Sequence, residues 1–262
     1  MKLGRIRTGV QTFWLLFLNS TLPLKFFDFP VLNCYSCPLA ATSCPLGALQ
    51  HFFALRRLPF YVAGELGVAG VLGGGLSCGW ACPFGFFQDA LYKLPTKKFK
   101  LDFKSAEALR FMFLALMILL LFGAVLARTP LFCKLCPAGA LEAAIPIVAT
   151  EASLRRRIGM LFYLKLAVLL TFVVLAVVSK RPFCRFACPL GAILSAFNPL
   201  SGVRLEVDEL GCVRCERCEA VCPMRIKIYE TPNSTRCIRC LKCLDACEGG
   251  HIHVRFELTQ GT

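Results

Sequence analysis

The chain has 262 residues, 17 of them cysteine, with an apolar fraction of 56%, a mean hydropathy of +0.63 and a formal charge of +14. The charge excess lies wholly in residues 1–200, which hold 21 Lys and Arg against 7 Asp and Glu, while residues 201–262 hold nine of each. Apolarity above the usual ~45–50% of soluble domains, with basic residues beside the apolar runs, fits lipid headgroups and argues against a nucleic-acid partner. A disulfide-stapled secreted domain is disfavoured too, because the chain is neither small nor polar and its cysteine count is odd.

In chain order, four apolar segments stand out. The first runs Thr8 to Leu24, extendable to about Leu32 past Lys25 and Asp28, with Asn19, Ser20, Thr21 and Pro23 interrupting it. The second is about Leu58 to Leu76, broken by Glu65, and the third is the charge-free Phe111 to Ala127. The fourth, about Ile158 to Ser179, carries Lys165. Each approaches the roughly 20 residues that cross a bilayer, so the expectation is four transmembrane helices. Met1–Arg7 is basic with no small-residue cleavage site after it, which reads as an anchor rather than a signal peptide. The lysines of the Lys93–Lys104 loop place that loop on the inner side. The expectation is a multi-pass protein of the cytoplasmic membrane with both termini inside, although Arg155, Arg156 and Arg157 would then lie outside. Glu65 and Lys165 fall at similar depth and read as a structural ion pair, or else as a proton-handling or quinone site. Trp14 and Trp80 are expected at the lipid edge.

The segments are punctuated by a repeat. The first half, about 1–100, reads Cys34-x2-Cys37-Pro38 and then Cys78-x3-Cys82-Pro83-Phe84-Gly85, with an additional Cys44-Pro45-Leu46-Gly47. The second half, about 101–200, reads Cys133-x2-Cys136-Pro137 and then Cys184-x3-Cys188-Pro189-Leu190-Gly191. Two copies of span, CxxCP, span, CxxxCP suggest a pseudo-two-fold pair, with the two motif types on opposite membrane faces. Cys78, Cys82, Cys184 and Cys188 then form one candidate [4Fe–4S] site. Proline at the first helical turn leaves free N–H groups and the positive helix end against the thiolate. Cys34, Cys37, Cys133 and Cys136 form a second candidate, with Cys44 as an alternative ligand and a disulfide as the rival reading.

Residues 201–262 hold Cys212-x2-Cys215-x2-Cys218-x3-Cys222-Pro223 and Cys237-x2-Cys240-x2-Cys243-x3-Cys247. This is the spacing of two [4Fe–4S] clusters, the fourth cysteine of each run serving the other cluster. Cys212, Cys215, Cys218 and Cys247 take one, and Cys237, Cys240, Cys243 and Cys222 the other. Zinc is the competing reading of CxxC pairs, but two complete runs favour iron–sulfur, and no CxxC is followed by the His of a c-type haem. His51, His251 and His253 have no second ligand at metal spacing.

Paired CxxxCP(F/L)G motifs followed by a two-cluster ferredoxin resemble the membrane ferredoxins of the NapH and NosR type, over about Leu58 to His251. The resemblance implies electron transfer between a quinone pool or soluble donor and a partner redox protein, by a subunit of an oxidoreductase complex rather than a stand-alone enzyme. No segment of these 262 residues resembles the large extracytoplasmic flavin-bearing region of the NosR type. The expected fold is an α-helical membrane domain, 1–200, with four transmembrane helices in a pseudo-two-fold repeat, followed by an α+β two-[4Fe–4S] ferredoxin domain, 201–262. A maturation factor for another metalloenzyme and a redox-sensing membrane protein are the alternative functions.

Overall fold

The computed structural model describes residues 3–98 and 106–257, less the side chains of 106–110, 113, 114, 117 and 121. Lys100 and Lys104 of the inner-loop expectation therefore lie outside the described residues. Helix α1 (Leu3–Leu18) is followed by an irregular stretch, then α2 (Pro45–Ala54), α3 (Phe60–Gly73), α4 (Leu76–Trp80) and α5 (Pro83–Leu91). The second half follows as α6 (Ala106–Ala127), α7 (Leu131–Leu135), α8 (Pro137–Gly139), a π-turn (Ala140–Ala144), α9 (Ile145–Thr150) and α10 (Ala152–Arg155). Helices α11 (Met160–Val178), α12 (Pro182–Phe186) and α13 (Pro189–Ala196) complete it. The last module is β1 (Val203–Val207), α14 (Arg217–Val221), α15 (Lys242–Ala246) and β2 (Ile252–Phe256). Its strands pair antiparallel, with Leu205 opposite Val254 and Val207 opposite Ile252.

Four transmembrane helices are not what the chain forms. Among the described residues, only α11 is long and apolar enough to cross a bilayer, with 19 residues and a mean hydropathy of 2.6. The first expected span ends at Leu18. Asn19 and Ser20 turn their side chains back onto the carbonyls of Leu15 and Phe17, Thr21 takes φ of 60°, and Pro23 has no N–H to continue the ladder. The 16 residues of α1 reach only about 24 Å at 1.5 Å each, against a hydrocarbon core of about 30 Å. The second span is cut shorter, to the 14 residues of α3, because Gly74 takes φ of 54° and ends the helix. The third falls in α6, several of whose side chains lie outside the described residues. With the spans gone, the return of the C-terminus to the inner side no longer follows from counting them.

One core nevertheless ties both modules together. Leu18, Leu32, Leu46, Phe84, Leu169 and Leu190 belong to the same buried cluster as Ile226, Ile238 and Ile252. Every Cys-Pro that opens a helix is held against longer helices. Helix α2 packs on α3 and α6, α5 on α1 and α11, α8 on α11, and α13 on α3 and α6.

Candidate metal centres

In the C-terminal module the two cysteine runs share a winding that their spacing alone does not reveal. The residues on either side of the middle cysteine are left-handed in both runs: Arg214 and Glu216 around Cys215, Arg239 and Leu241 around Cys240. Each run then enters a helix with its third cysteine in the first turn, Cys218 in α14 and Cys243 in α15. The result curls three thiols about one point. A cavity of about 280 Å³ is walled by Cys212, Cys215, Cys218 and Cys247. Cys222, Cys237, Cys240 and Cys243 form the other group, all six pairs being close enough to repel electrostatically. Burial first, with its sulfur neighbours adding to it, pushes the Cys237 thiol up to about 12. The Arg239 N–H donates to Cys237 Sγ at 3.3 Å, the kind of contact that favours a thiolate ligand.

Cys78, Cys82, Cys184 and Cys188 are likewise mutual neighbours in all six pairings. Cys82 and Cys188 each stand immediately before a proline-started helix, and the Gly N–H three residues on donates back to the sulfur: Gly85 to Cys82 at 3.4 Å, Gly191 to Cys188 at 3.3 Å. Gln88 Nε2 donates to Cys184 Sγ at 3.3 Å. Behind the group lies a buried charge cluster. Arg7 and Arg181 both bind Asp89, at 2.6 and 2.8 Å, and donate to the carbonyls of Gly79 and Cys78. Burial alone would raise the Asp89 carboxyl, but the Arg181 and Arg7 guanidiniums overcome it and hold the group well below the ordinary carboxylate range.

The C-terminal module is pressed onto this group. Gly75 and Gly79 flank Cys78 in sequence, and a Cβ on either would collide with the carbonyl of Cys237 or Ile238. Asn198, fully buried, accepts from the Gly75 N–H at 2.9 Å and donates to the carbonyls of Cys237 and Ser234 at 2.7 and 2.8 Å. Trp80, expected at the lipid edge, instead donates its indole N–H to Arg239 O at 3.0 Å. The N–H groups of Leu3 and Gly4 reach Asp245, so α1 is fastened to the same module.

The remaining five cysteines divide unevenly. Cys34, Cys44, Cys133 and Cys136 wall one void. Cys37 is absent from that wall and packs with Ala40, Ala143, Ile147 and Cys34. None of the seventeen is in a disulfide. Lys165 lies beside Cys34 and Gly139, and does not pair with Glu65, whose two buried oxygens have no hydrogen-bond partner. The opposite-face expectation also gives way. The Leu32 backbone lies beside the Cys82 thiol, while Leu32 itself lines the void of Cys34 and Cys44. Residues 32–34 therefore bridge the two groups, and three extended residues span at most about 10 Å, far less than a bilayer core.

Among the described residues, no three Cys, His or carboxylate groups close to the spacing of one metal ion. Two of the groups, Cys212, Cys215, Cys218 and Cys247 and Cys34, Cys44, Cys133 and Cys136, wall a void rather than converge on a point. Groups of four neighbouring cysteines, with backbone N–H groups aimed at Cys82, Cys188 and Cys237, are the donor set of a cubane cluster.

Comparison with known proteins gives the same chemistry. A family described as 4Fe-4S binding domain matches residues 42–61, 62–102, 109–145 and 161–207, more than half of the chain. Two uncharacterized proteins of Methanocaldococcus jannaschii are similar. MJ0749 is 33% identical over 189 residues, covering 70% of this chain and 65% of its own length. MJ0750 is 35% identical over 184 residues, covering 67% and 69%. The methylamine utilization ferredoxin-type protein MauN of Methylobacillus flagellatus is 26% identical over 185 residues, covering 68% of this chain and 60% of MauN. The chain thus spans just under two thirds of the first of these relatives. No solved structure matches. The sulfur-lined voids and the four matched segments, each carrying one Cys-Pro-x-Gly sequence, lead to one conclusion: the chain belongs to the 4Fe-4S binding domain family, of ferredoxin type.

Proposed function

We propose that this chain is an electron-transfer subunit of the membrane surface or interior, working between a quinol or soluble donor and a partner redox protein, with the NapH-like arrangement the resemblance implies. Cys212, Cys215, Cys218 and Cys247 would hold one [4Fe–4S] cluster, and Cys222, Cys237, Cys240 and Cys243 a second. Cys78, Cys82, Cys184 and Cys188 would hold a third. Such clusters, when bound, each take up and release one electron. The protein's part is to hold the sites close and dry and to set their electrostatics.

The observation that carries this reading is the seam between α4 and the Cys237–Cys240 loop. Glycine at 75 and 79 removes the side chains that would otherwise hold apart two backbones that each bear cluster cysteines. Asn198 then fixes the seam with three hydrogen bonds. A storage or sensing protein has no need of that proximity between sites. On the donor side, a cavity of about 330 Å³ opens beside Cys34 and Cys133, with Phe162, Arg157 and Lys165 in its wall. Apolar walls with a few convergent cations suit a quinol ring and its polar oxygens.

The test is anaerobic purification followed by mixing with a reduced quinol analogue and EPR on samples frozen at increasing times. Reduced iron–sulfur signals that grow with time, and that Cys78→Ser slows or truncates, are expected. A chain without iron after anaerobic reconstitution, or one whose clusters no quinol and no low-potential soluble donor reduces, overturns the reading.

A further inference from the structure

The four cysteines around the remaining void repeat the sequence pattern, and part of the anchoring, of the group at Cys78 and Cys184. Four sequences of the form Cys-Pro-x-Gly occur in the chain: Cys44-Pro45-Leu46-Gly47, Cys82-Pro83-Phe84-Gly85, Cys136-Pro137-Ala138-Gly139 and Cys188-Pro189-Leu190-Gly191. In two of them the glycine N–H donates to the cysteine sulfur, Gly85 to Cys82 and Gly191 to Cys188, and in the other two the backbones of Gly47 and Gly139 lie beside the sulfurs of Cys44 and Cys136 without a cap hydrogen bond. Cys37-Pro38-Leu39-Ala40 has alanine at that place and starts no helix.

A second parallel lies six residues beyond. Cys44 is followed by Gln50, Cys82 by Gln88 and Cys136 by Glu142. Gln50 Oε1 accepts from the N–H groups of Phe132 and Cys133, at 3.1 and 3.4 Å. Gln88 Oε1 accepts from Phe183, the residue before Cys184, at 3.1 Å. Glu142 Oε2 accepts from the Cys34 N–H at 2.6 Å. Each side-chain oxygen thus anchors the Cys-bearing segment of the opposite half. Leu194 occupies this position after Cys188 and has no oxygen to offer, so the parallel stops short of the segment of Cys78. The parallel equates Cys44 with Cys82 and Cys133 with Cys184. It leaves Cys37 without a counterpart.

We infer that Cys34, Cys44, Cys133 and Cys136 bind a fourth [4Fe–4S] cluster, and that Cys37 is the one cysteine of the seventeen that binds none. Each of the four thiols gives up its proton and ligates one iron. Lys165, beside Cys34, supplies a positive charge next to the four thiolates. Leu32, which lines this void while its backbone lies beside Cys82, makes the site the direct neighbour of the third. The inference rests on the electron-transfer reading for its purpose but not for its chemistry, which is a ligand set.

Iron and acid-labile sulfide are counted on the anaerobically purified full-length chain and on Cys44→Ser and Cys37→Ser, with EPR after graded reduction. The wild type is expected to hold about sixteen irons. Cys44→Ser is expected to lose about four of them and one spectral component, and Cys37→Ser to keep both. A wild type holding about twelve irons overturns this inference and leaves the other three sites standing, whereas a wild type without iron would sink the functional reading itself. Loss of about four irons in Cys37→Ser overturns the assignment, whatever Cys44→Ser does, so the assignment stays testable even if Cys44→Ser does not fold. Undiminished iron in Cys44→Ser overturns it equally.

Discussion

At the scale of single residues, Asp89 is where stability and site chemistry meet. It is the only carboxylate bound to Arg7 and Arg181 among the described residues, and both guanidiniums are buried. Asp89→Asn keeps the shape and removes the charge, leaving two buried cations to repel each other. Breaking a buried pair from one side costs about 3–5 kcal/mol, so a fall of several degrees in thermal midpoint is expected by circular dichroism. The sign of the pH effect follows from the depressed folded pKa. Asp89 contributes its full stabilisation above the unfolded value of about 4 and loses it as pH falls through the lower folded value. The acid limb of the wild-type stability curve should therefore be steeper than that of Asp89→Asn; superimposable curves would refute the role given to this carboxylate. The same scale shows what a sequence reader can and cannot see. The grouping of the C-terminal cysteines is legible because three thiols of each group sit within seven residues, where spacing is nearly geometry. The proposed role of Cys44 is harder to see, since Cys34 is ten residues away and Cys37 offers a more familiar CxxC. The legible cue was the glycine three residues after the cysteine and the amide or carboxylate six residues after it. The Arg7–Asp89–Arg181 cluster joins residues more than seventy positions apart, and nothing local announces it.

At the scale of elements, the glycines of α4 separate close approach from mere tolerance. A Cβ at Gly79 would strike the Ile238 carbonyl and sit 3.2 Å from Cys240 Cα, backbone atoms that cannot swing aside. Gly64, in α3, faces nothing within 4 Å. Gly79→Val is therefore expected to cost about 1–3 kcal/mol from overpacking and to loosen the seam. Limited proteolysis should release a C-terminal fragment faster, and the EPR signal of the Cys237-centred site should broaden. Gly64→Ala should be neutral or stabilising by about 0.5–1 kcal/mol. Equal behaviour of the two variants would show that the seam does not depend on glycine. Element ends were the least legible feature. Apolar runs mark where the chain is greasy, but the end of α1 is decided by Asn19 and Ser20 bonding back to carbonyls, and the end of α3 by a left-handed glycine. Hydropathy is blind to both, and so reads two short helices as two spans.

For the whole molecule, the question is what faces the exposed apolar surface. Helix α11 presents Met160, Leu161, Leu170 and Val174 outward, and α6 presents Phe111 and Leu126. So much exposed apolar area is rare on a free-standing soluble protein, and the 19 residues of α11 make a helix of about 28 Å, close to the thickness of a hydrocarbon core. Basic residues stand at both ends, Arg155 to Arg157 before it and Lys180 after it, where headgroups would be. Membrane integration through α11 is the proposal this supports, and it separates from cluster binding because Leu170 and Val174 are exposed and line neither cysteine-walled void. Leu170→Glu combined with Val174→Glu places two charges on the outward face of that helix, each costing about 2.5–3.5 kcal/mol near the centre of a span. The wild type should remain with membranes after carbonate washing, and the double variant should appear in the wash or be degraded, while its iron content per surviving chain holds. If the wild type itself leaves the membrane under carbonate, α11 is instead a face covered by a partner protein, and the donor must be sought among soluble carriers rather than quinols.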